Sequence, residues 1–453
     1  MAHAYRFGIE EEFFLADART RGTPRAGLRA FHAAVRGRLD DAEREQLQCQ
    51  VEVASPPTAD LAEARAHLAD LRASLAEIGG ERGILTFAAG THPTARWRDQ
   101  RPTDKARYHG IMADLRMLGR RNLVCGLHVH VEVPDPAARI GLINRLLPYL
   151  PVLLALSTGS PFWQGQQTGL AGYRMRAYAE LPRTGVPELF ADADDYARYV
   201  DVMTRSGAIA DASYLWWHVR ASVKYPTLEL RIADSCARLD DALCIAALFR
   251  CLVRRVVRDR RLNAGLTAAS RGFVLENLWR AECDGVRATL IDEAQVRAVP
   301  VAAAVEALLA DIAEDADALG CGAACAHASR IVAEGTSADR QMAVFAAARR
   351  SGARERAALS AVVDHLAAET AAGSKSGRGG DPTSAPAAWR RARARPRGDR
   401  RGRGPSAALE DAVAHTSRMA MLPKDVWPPV SPAYMAGRAA TGSLRVVLCY
   451  PSH

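Results

Sequence analysis

No run of 18 apolar residues occurs in this chain of 453 residues. The nearest, Ile140 to Ser157, is broken by Arg145, Pro148 and Pro151, so no membrane-spanning helix is expected. The opening Met1-Ala2-His3-Ala4-Tyr5-Arg6 lacks the apolar stretch of a signal peptide. Nine cysteines are scattered without a paired framework, which argues against a disulfide scaffold and suits a reducing cytoplasm. Cys321, Cys325 and the nearby His327 lack the second Cys pair of a structural zinc site, so helix packing explains them better. No Gly-x-x-x-x-Gly-Lys-Ser/Thr pattern is present, which excludes a P-loop. Ser157 lies in no Gly-x-Ser-x-Gly elbow, which argues against a serine nucleophile. Internal repeats are also missing.

A deficit of acid is real but local. The net charge is +9, yet the stretch from Ala371 to Pro405 holds ten Lys or Arg against Asp381 and Asp399, a local +8. The rest is near neutral, so the basic balance is no signature of a nucleic-acid surface. Three segments follow from composition: a body over 1–372, a Gly-, Pro-, Ser- and Arg-rich linker over 373–405 that cannot build a core, and an extension over 406–453 without periodicity.

What the body does contain is a set of strands with unusual polar faces. Phe7-Gly8-Ile9-Glu10-Glu11-Glu12-Phe13-Phe14-Leu15 has the apolar ends of a buried strand around three carboxylates. Strand side chains alternate, so Glu10 and Glu12 share one face while Ile9, Glu11 and Phe13 share the other. Two carboxylates about 7 Å apart on one face repel unless a cation lies between them, and Mg²⁺ or Mn²⁺ takes oxygen ligands. An edge strand with a solvated acidic face is the alternative. Gln48 to Ala54 is a second strand, in which Glu52 faces away from Val51 and Val53. Thr58 caps a helix striped by Leu61, Ala64, Leu68, Leu71, Leu75 and Ile78. Strict alternation over Leu127 to Val133 puts His128, His130 and Glu132 on one face. Tyr173-Arg174-Met175-Arg176 reads as a loop with two cations, and Trp216-Trp217-His218-Val219-Arg220 precedes a strand over Thr227 to Asp234. There Glu229 and Arg231 oppose Leu228, Leu230 and Ile232, either as an ion pair or as a metal ligand beside a phosphate-binding Arg. Asp241 to Ala368 is mostly helical.

Gly8-Ile9-Glu10-Glu11-Glu12, Gly126-Leu127-His128-Val129-His130, Ser160-Pro161-Phe162-Trp163, Trp216-Trp217 and Thr227-Leu228-Glu229-Leu230-Arg231 resemble, in order, the carboxylate–amine ligases of the glutamate–cysteine ligase type 2 family. That family belongs to the glutamine-synthetase-like superfamily, and the resemblance spans about Tyr5 to Ala368. It implies an α+β fold in which a curved, mainly antiparallel sheet is flanked by helices and carries metals, ATP and substrates on its concave face. It implies that ATP activates a carboxylate as an acyl phosphate, which an amine then converts to an amide. Carried over by residue, it implies that Glu10, His128 and Glu229 hold one Mg²⁺ (or Mn²⁺) ion, and Glu12 and Glu52 a second. Arg231 would offset charge on the phosphoryl in flight, with His130 beside the phosphates or substrate. Arg174 or Arg220 would hold the substrate carboxylate. The partners implied are small molecules, glutamate or a similar carboxylate and cysteine or another amine, with a homodimer as one assembly. A metal-dependent hydrolase and a catalytically weak nucleotide-binding regulator would draw on the same residues.

Overall fold

The computed structural model describes residues 3–375. Most of the expected linker (from 376) and the whole 406–453 extension lie outside the described residues.

Seven strands form one sheet: β1 (Phe7–Asp17), β2 (Ala42–Arg44), β3 (Gln50–Ala54), β4 (Ile84–Phe87), β5 (Gly126–Glu132), β6 (Val219–Ala221) and β7 (Thr227–Asp234). Their order is β6-β7-β5-β1-β3-β2, with β4 beside β1, and every pairing is antiparallel. The α+β expectation of an antiparallel sheet flanked by helices therefore holds. The period-2 pattern read from the sequence gives the sheet its two faces. Ile9, Phe13, Val51, Val53, Leu127, Val129, Val131, Leu228, Leu230 and Ile232 line the back, each at most 1% exposed. The helix Leu239–Arg258 packs on β5, against Leu61–Gly80, which in turn packs on Glu355–Lys375.

Glu11 is the fully buried charge of β1 on that back face, and Arg72 of Leu61–Gly80 meets it with both side chains wholly buried. The same guanidinium donates to Ala237 O at 2.8 Å and Cys236 O at 2.9 Å, just beyond β7. One cation thus ties the backs of β1 and the β7 exit across β5.

Several local readings shift. Asp60, not Thr58, caps Leu61–Gly80, accepting from Ala62 N at 2.8 Å. Thr58 instead accepts from Asp60 N and donates to Glu63. The apolar stretch Ile140 to Ser157 does not form one helix: it lies in Arg139–Leu146, a 3-10 turn at Leu147–Tyr149, and Leu150–Ser157, because Pro148 and Pro151 lack an N–H for the helical ladder. By length and composition Pro136–Ser157 could cross a membrane, but 72% of the apolar 18-residue stretch within it is buried inside the fold. Tyr173–Tyr178 is a short helix rather than a loop. Cys321 and Cys325 pack around Cys251, whose sulfur lies 3.8 Å from that of Cys325, while His327 binds Asp241 at 2.9 Å, so no zinc set forms there.

Candidate active site

Strand order brings distant stretches side by side on the front face. Glu12 pairs across from Glu52, Glu10 from His128, and Glu229 from both His130 and Arg220. The five expected ligands from four neighbouring strands therefore converge. Ligand atoms of Glu10, His128 and Glu229 lie within 4.8 Å of one another, and those of Glu12, Glu52 and His128 do likewise. His128 belongs to both sets: its Nδ1 is 3.3 Å from Glu10 and its Nε2 3.8 Å from Glu12.

The protonation of the cluster follows from burial and crowding. Burial, with Arg231 nearby, pushes the His128 imidazole down to about 4, leaving it neutral and able to donate an electron pair to a metal. Burial and then the Glu45 charge push Glu12 up to about 7, and burial with Glu10 lifts Glu52 well above the carboxylate range. Glu10 goes the other way: burial opposes its charge, but hydrogen bonds from His128 and His130 hold it well below. For Glu229, burial is outweighed by Arg231 and Arg220, which keep it ionised. His130 is raised, because Glu10 and Glu229 outweigh burial. Its Nδ1 meets Thr227 Oγ1 at 3.0 Å, and its Nε2 faces Glu10 at 3.4 Å and Glu229 at 3.9 Å.

The arginines occupy different stations. Arg220 grips Glu229 with two prongs, at 2.7 and 3.0 Å, and its Nη1 reaches Ser213 O and Leu215 O, so all three nitrogens are engaged. Arg231 also donates to Glu229, from the position where the β7 register slips against β5 between Leu230 and Ala233. Such a bulge re-aims a side chain. Arg174 is buried and donates to Ile232 O and Ala233 O, while its Nε has no partner.

Two motifs explain how Arg174 is held. A Cβ on Gly126 would lie 2.2 Å from Arg174 Nη2 and 3.1 Å from His128 Nε2, so any larger residue must displace the guanidinium. The Gly126 N–H also donates to Glu12 at 2.6 Å. Ser160 accepts from the Arg174 N–H at 2.9 Å and donates to Asp234 at 2.6 Å, which turns Ser160-Pro161-Phe162-Trp163 into a support for the arginine.

A cavity of about 230 Å³ opens over Glu12, Glu45 and Glu52 and is walled by Tyr108, Arg174 and Trp216. Arg220 and Arg231 also border it. Glu45 escaped the sequence reading. It follows the three-residue strand β2, too short to show alternation, and faces Tyr108 OH at 3.4 Å. Its place seven residues before Glu52 was the only available signal.

The chain is similar to known proteins. The family described as Glutamate-cysteine ligase family 2 matches residues 6–365. A Bradyrhizobium diazoefficiens protein, provisionally named glutamate–cysteine ligase 2, is 44% identical over 345 residues, covering 76% of this chain and 80% of its own. One of the same provisional name from Rhodospirillum rubrum is 43% identical over 374 residues, covering 82% and 96%. The fold is shared with a glutamate–cysteine ligase from Francisella tularensis solved in complex with AMP, at TM-score 0.57 and 12% identity over 82% of this chain and 92% of that one. It is shared too with a bifunctional glutathione synthetase from Pasteurella multocida, at TM-score 0.58 and 16% identity over 82% of this chain and 52% of that one. With a family match over residues 6–365, which hold the sheet and its polar front face, and relatives 43–44% identical over most of the chain, the chain belongs to glutamate–cysteine ligase family 2.

Proposed function

We propose that this chain is an ATP-dependent carboxylate–amine ligase that joins glutamate or a similar carboxylate to cysteine or another small amine. The observation that carries the reading is the pair of cation-sized ligand sets sharing His128. The residues fit divalent cations. His128 Nε2 is buried without a hydrogen-bond partner, and burial drives the carboxylates of Glu12, Glu45 and Glu52 toward protonation, with neighbouring carboxylates adding to it at Glu12 and Glu52. Carboxylate oxygens with one imidazole suit Mg²⁺ or Mn²⁺. Bound there, such ions would supply the positive charge that lets a triphosphate approach an anionic carboxylate.

The protein's own groups orient and neutralise. Arg220 and Arg231 fix both oxygens of Glu229, and Arg231 is the group we assign to the charge on the transferring phosphoryl. His130, oriented through Thr227, would face the phosphates. Of the two candidates for the substrate carboxylate, Arg174 keeps an unpartnered Nε, whereas every nitrogen of Arg220 is engaged, which favours Arg174. In the first step a carboxylate oxygen bonds to the γ-phosphorus, and ADP leaves with the electrons of the broken P–O bond. In the second, the amine nitrogen bonds to the acyl carbon, and phosphate leaves with the C–O electrons while the nitrogen sheds its extra proton. Eight free cysteines among the described residues are compatible with a reducing compartment such as the cytoplasm.

Phosphate release with ATP, Mg²⁺, glutamate and a panel of amines tests this. Release should require both a carboxylate and an amine; phosphate released from ATP with neither present would point to a hydrolase instead.

A further inference from the structure

We propose that Asp234, at the end of β7, is a positioning residue for the reaction: its charge and its bond to Ser160 hold Arg174 where the substrate carboxylate binds. The inference rests on the ligase reading above, with Arg174 as the group that receives that carboxylate.

Asp234 is wholly buried and lies outside the cavity lining, so it acts through Arg174 rather than on substrate. One of its oxygens is used twice: Oδ2 accepts from Gly159 N at 2.8 Å and from Ser160 Oγ at 2.6 Å. The other, Oδ1, has no hydrogen-bond partner and lies 4.0 Å from Arg174 Nη1. A buried carboxylate with an unbonded oxygen is costly, and the nearby guanidinium offsets that cost. Burial pushes the carboxyl up, and Arg174 is the first of the influences that oppose the rise. The space is reserved as well. A Cβ on Gly90 would lie 2.4 Å from the carboxylate, and Gly90 N donates to Gly159 O at 3.2 Å, so the chain at Gly90 and Gly159 closes on the side chain.

Arg174 is held at both ends. The Ser160 hydroxyl that donates to Oδ2 accepts from the Arg174 N–H. At the guanidinium, Nη1 donates to Arg231 O at 3.3 Å, Ile232 O at 3.2 Å and Ala233 O at 3.0 Å, three successive carbonyls of the bulged part of β7, while Oδ1 supplies the counter-charge. Glu12 also feels the Arg174 charge, but a cation bound at the cluster would claim Glu12. Asp234 belongs to neither ligand set, so it remains the counter-charge of Arg174 in the loaded site.

Steady-state kinetics of phosphate release with ATP, Mg²⁺, glutamate and cysteine, alongside isothermal titration with ATP, test the assignment on the full chain. Asp234→Asn keeps an oxygen for Gly159 and Ser160 and removes the charge. It should raise KM for glutamate about tenfold or more, the scale of a buried cation losing its counter-charge, while kcat and ATP affinity change only a few-fold. In an Arg174→Gln background the same change should add nothing, because its effect passes through the guanidinium. An unchanged glutamate KM overturns the assignment, as does an equal loss for ATP and both substrates, or an additive loss in the Arg174→Gln background. If Asp234→Asn does not fold, Ser160→Ala, which cuts the link to the Arg174 backbone, must raise KM for glutamate and not for ATP; any other pattern overturns the assignment. A wild-type protein that releases no phosphate with these substrates overturns the ligase reading itself, and the assignment with it.

Discussion

At the residue scale, Arg231 and Glu229 are two residues apart on β7 and in direct contact, so Arg231 should reach any phosphoryl group that a cation held by Glu229 bridges. Charge on that group redistributes most in the transition state. Arg231→Lys keeps the charge and loses the fork, so kcat should fall about 10²-fold while ATP affinity changes only a few-fold. Titration alongside turnover checks this; lost affinity with normal kcat would make Arg231 a ground-state anchor. Gly126→Ala should displace Arg174, raising KM for the carboxylate substrate with little effect on ATP binding. Steady-state kinetics with each substrate varied in turn would read the split. The carboxylate cluster predicts a pH effect of definite sign. Glu12 rises to about 7 in the folded state, so the stability it contributes is full below about pH 4.5 and is lost as pH climbs through about 7. Relative to Glu12→Gln, in which the histidines kept neutral by burial contribute equally, metal-free wild type should thus melt lower at about pH 8 than at about pH 5, and Mg²⁺ should raise the wild-type melting temperature more at the higher pH. Melts with EDTA and with Mg²⁺ across that range decide it, and a flat profile would count against the cluster as a cation site.

At the element scale, the front face works only if β1 and β7 keep their spacing across β5. Arg72 spans their backs through Glu11, Cys236 and Ala237. Glu11→Gln would leave a buried guanidinium without its counter-charge, and unfolding in urea should show a loss of about 3–5 kcal/mol. Glu81→Gln, which breaks the surface pairs with Arg38 and Arg82, should leave the urea midpoint nearly unchanged in the same assay. Equal effects would mean that the Glu11–Arg72 pair contributes no more than a surface contact.

At the scale of the whole molecule, the family match ends at residue 365 and the helix Glu355–Lys375 packs against Leu61–Gly80. The expected body boundary at 372 falls inside that helix. We propose that a chain ending at Lys375 is the functional unit, since the +8 charge of the stretch beyond Ala371 has no counterpart in the family pattern. Truncation after Lys375 should leave melting temperature and ATP turnover unchanged; a loss of either would tie the tail to the body.

The sequence by itself determined which residues share a strand face, because a period of two is a local property: Glu10 with Glu12, His128 with His130, Glu229 with Arg231. It also determined that Glu11 faces the apolar side. Only the tertiary structure decided that His128 serves two ligand sets, since that follows from β1 lying between β5 and β3. Only it brought in Glu45, through a strand too short for periodicity to reveal, and only it engaged Arg220 on Glu229 while leaving an Arg174 nitrogen free. The β7 bulge at Arg231 was invisible for the same reason. Alternation is written in neighbouring residues, whereas strand order, register slips and the sharing of a guanidinium depend on segments a hundred residues apart meeting in space.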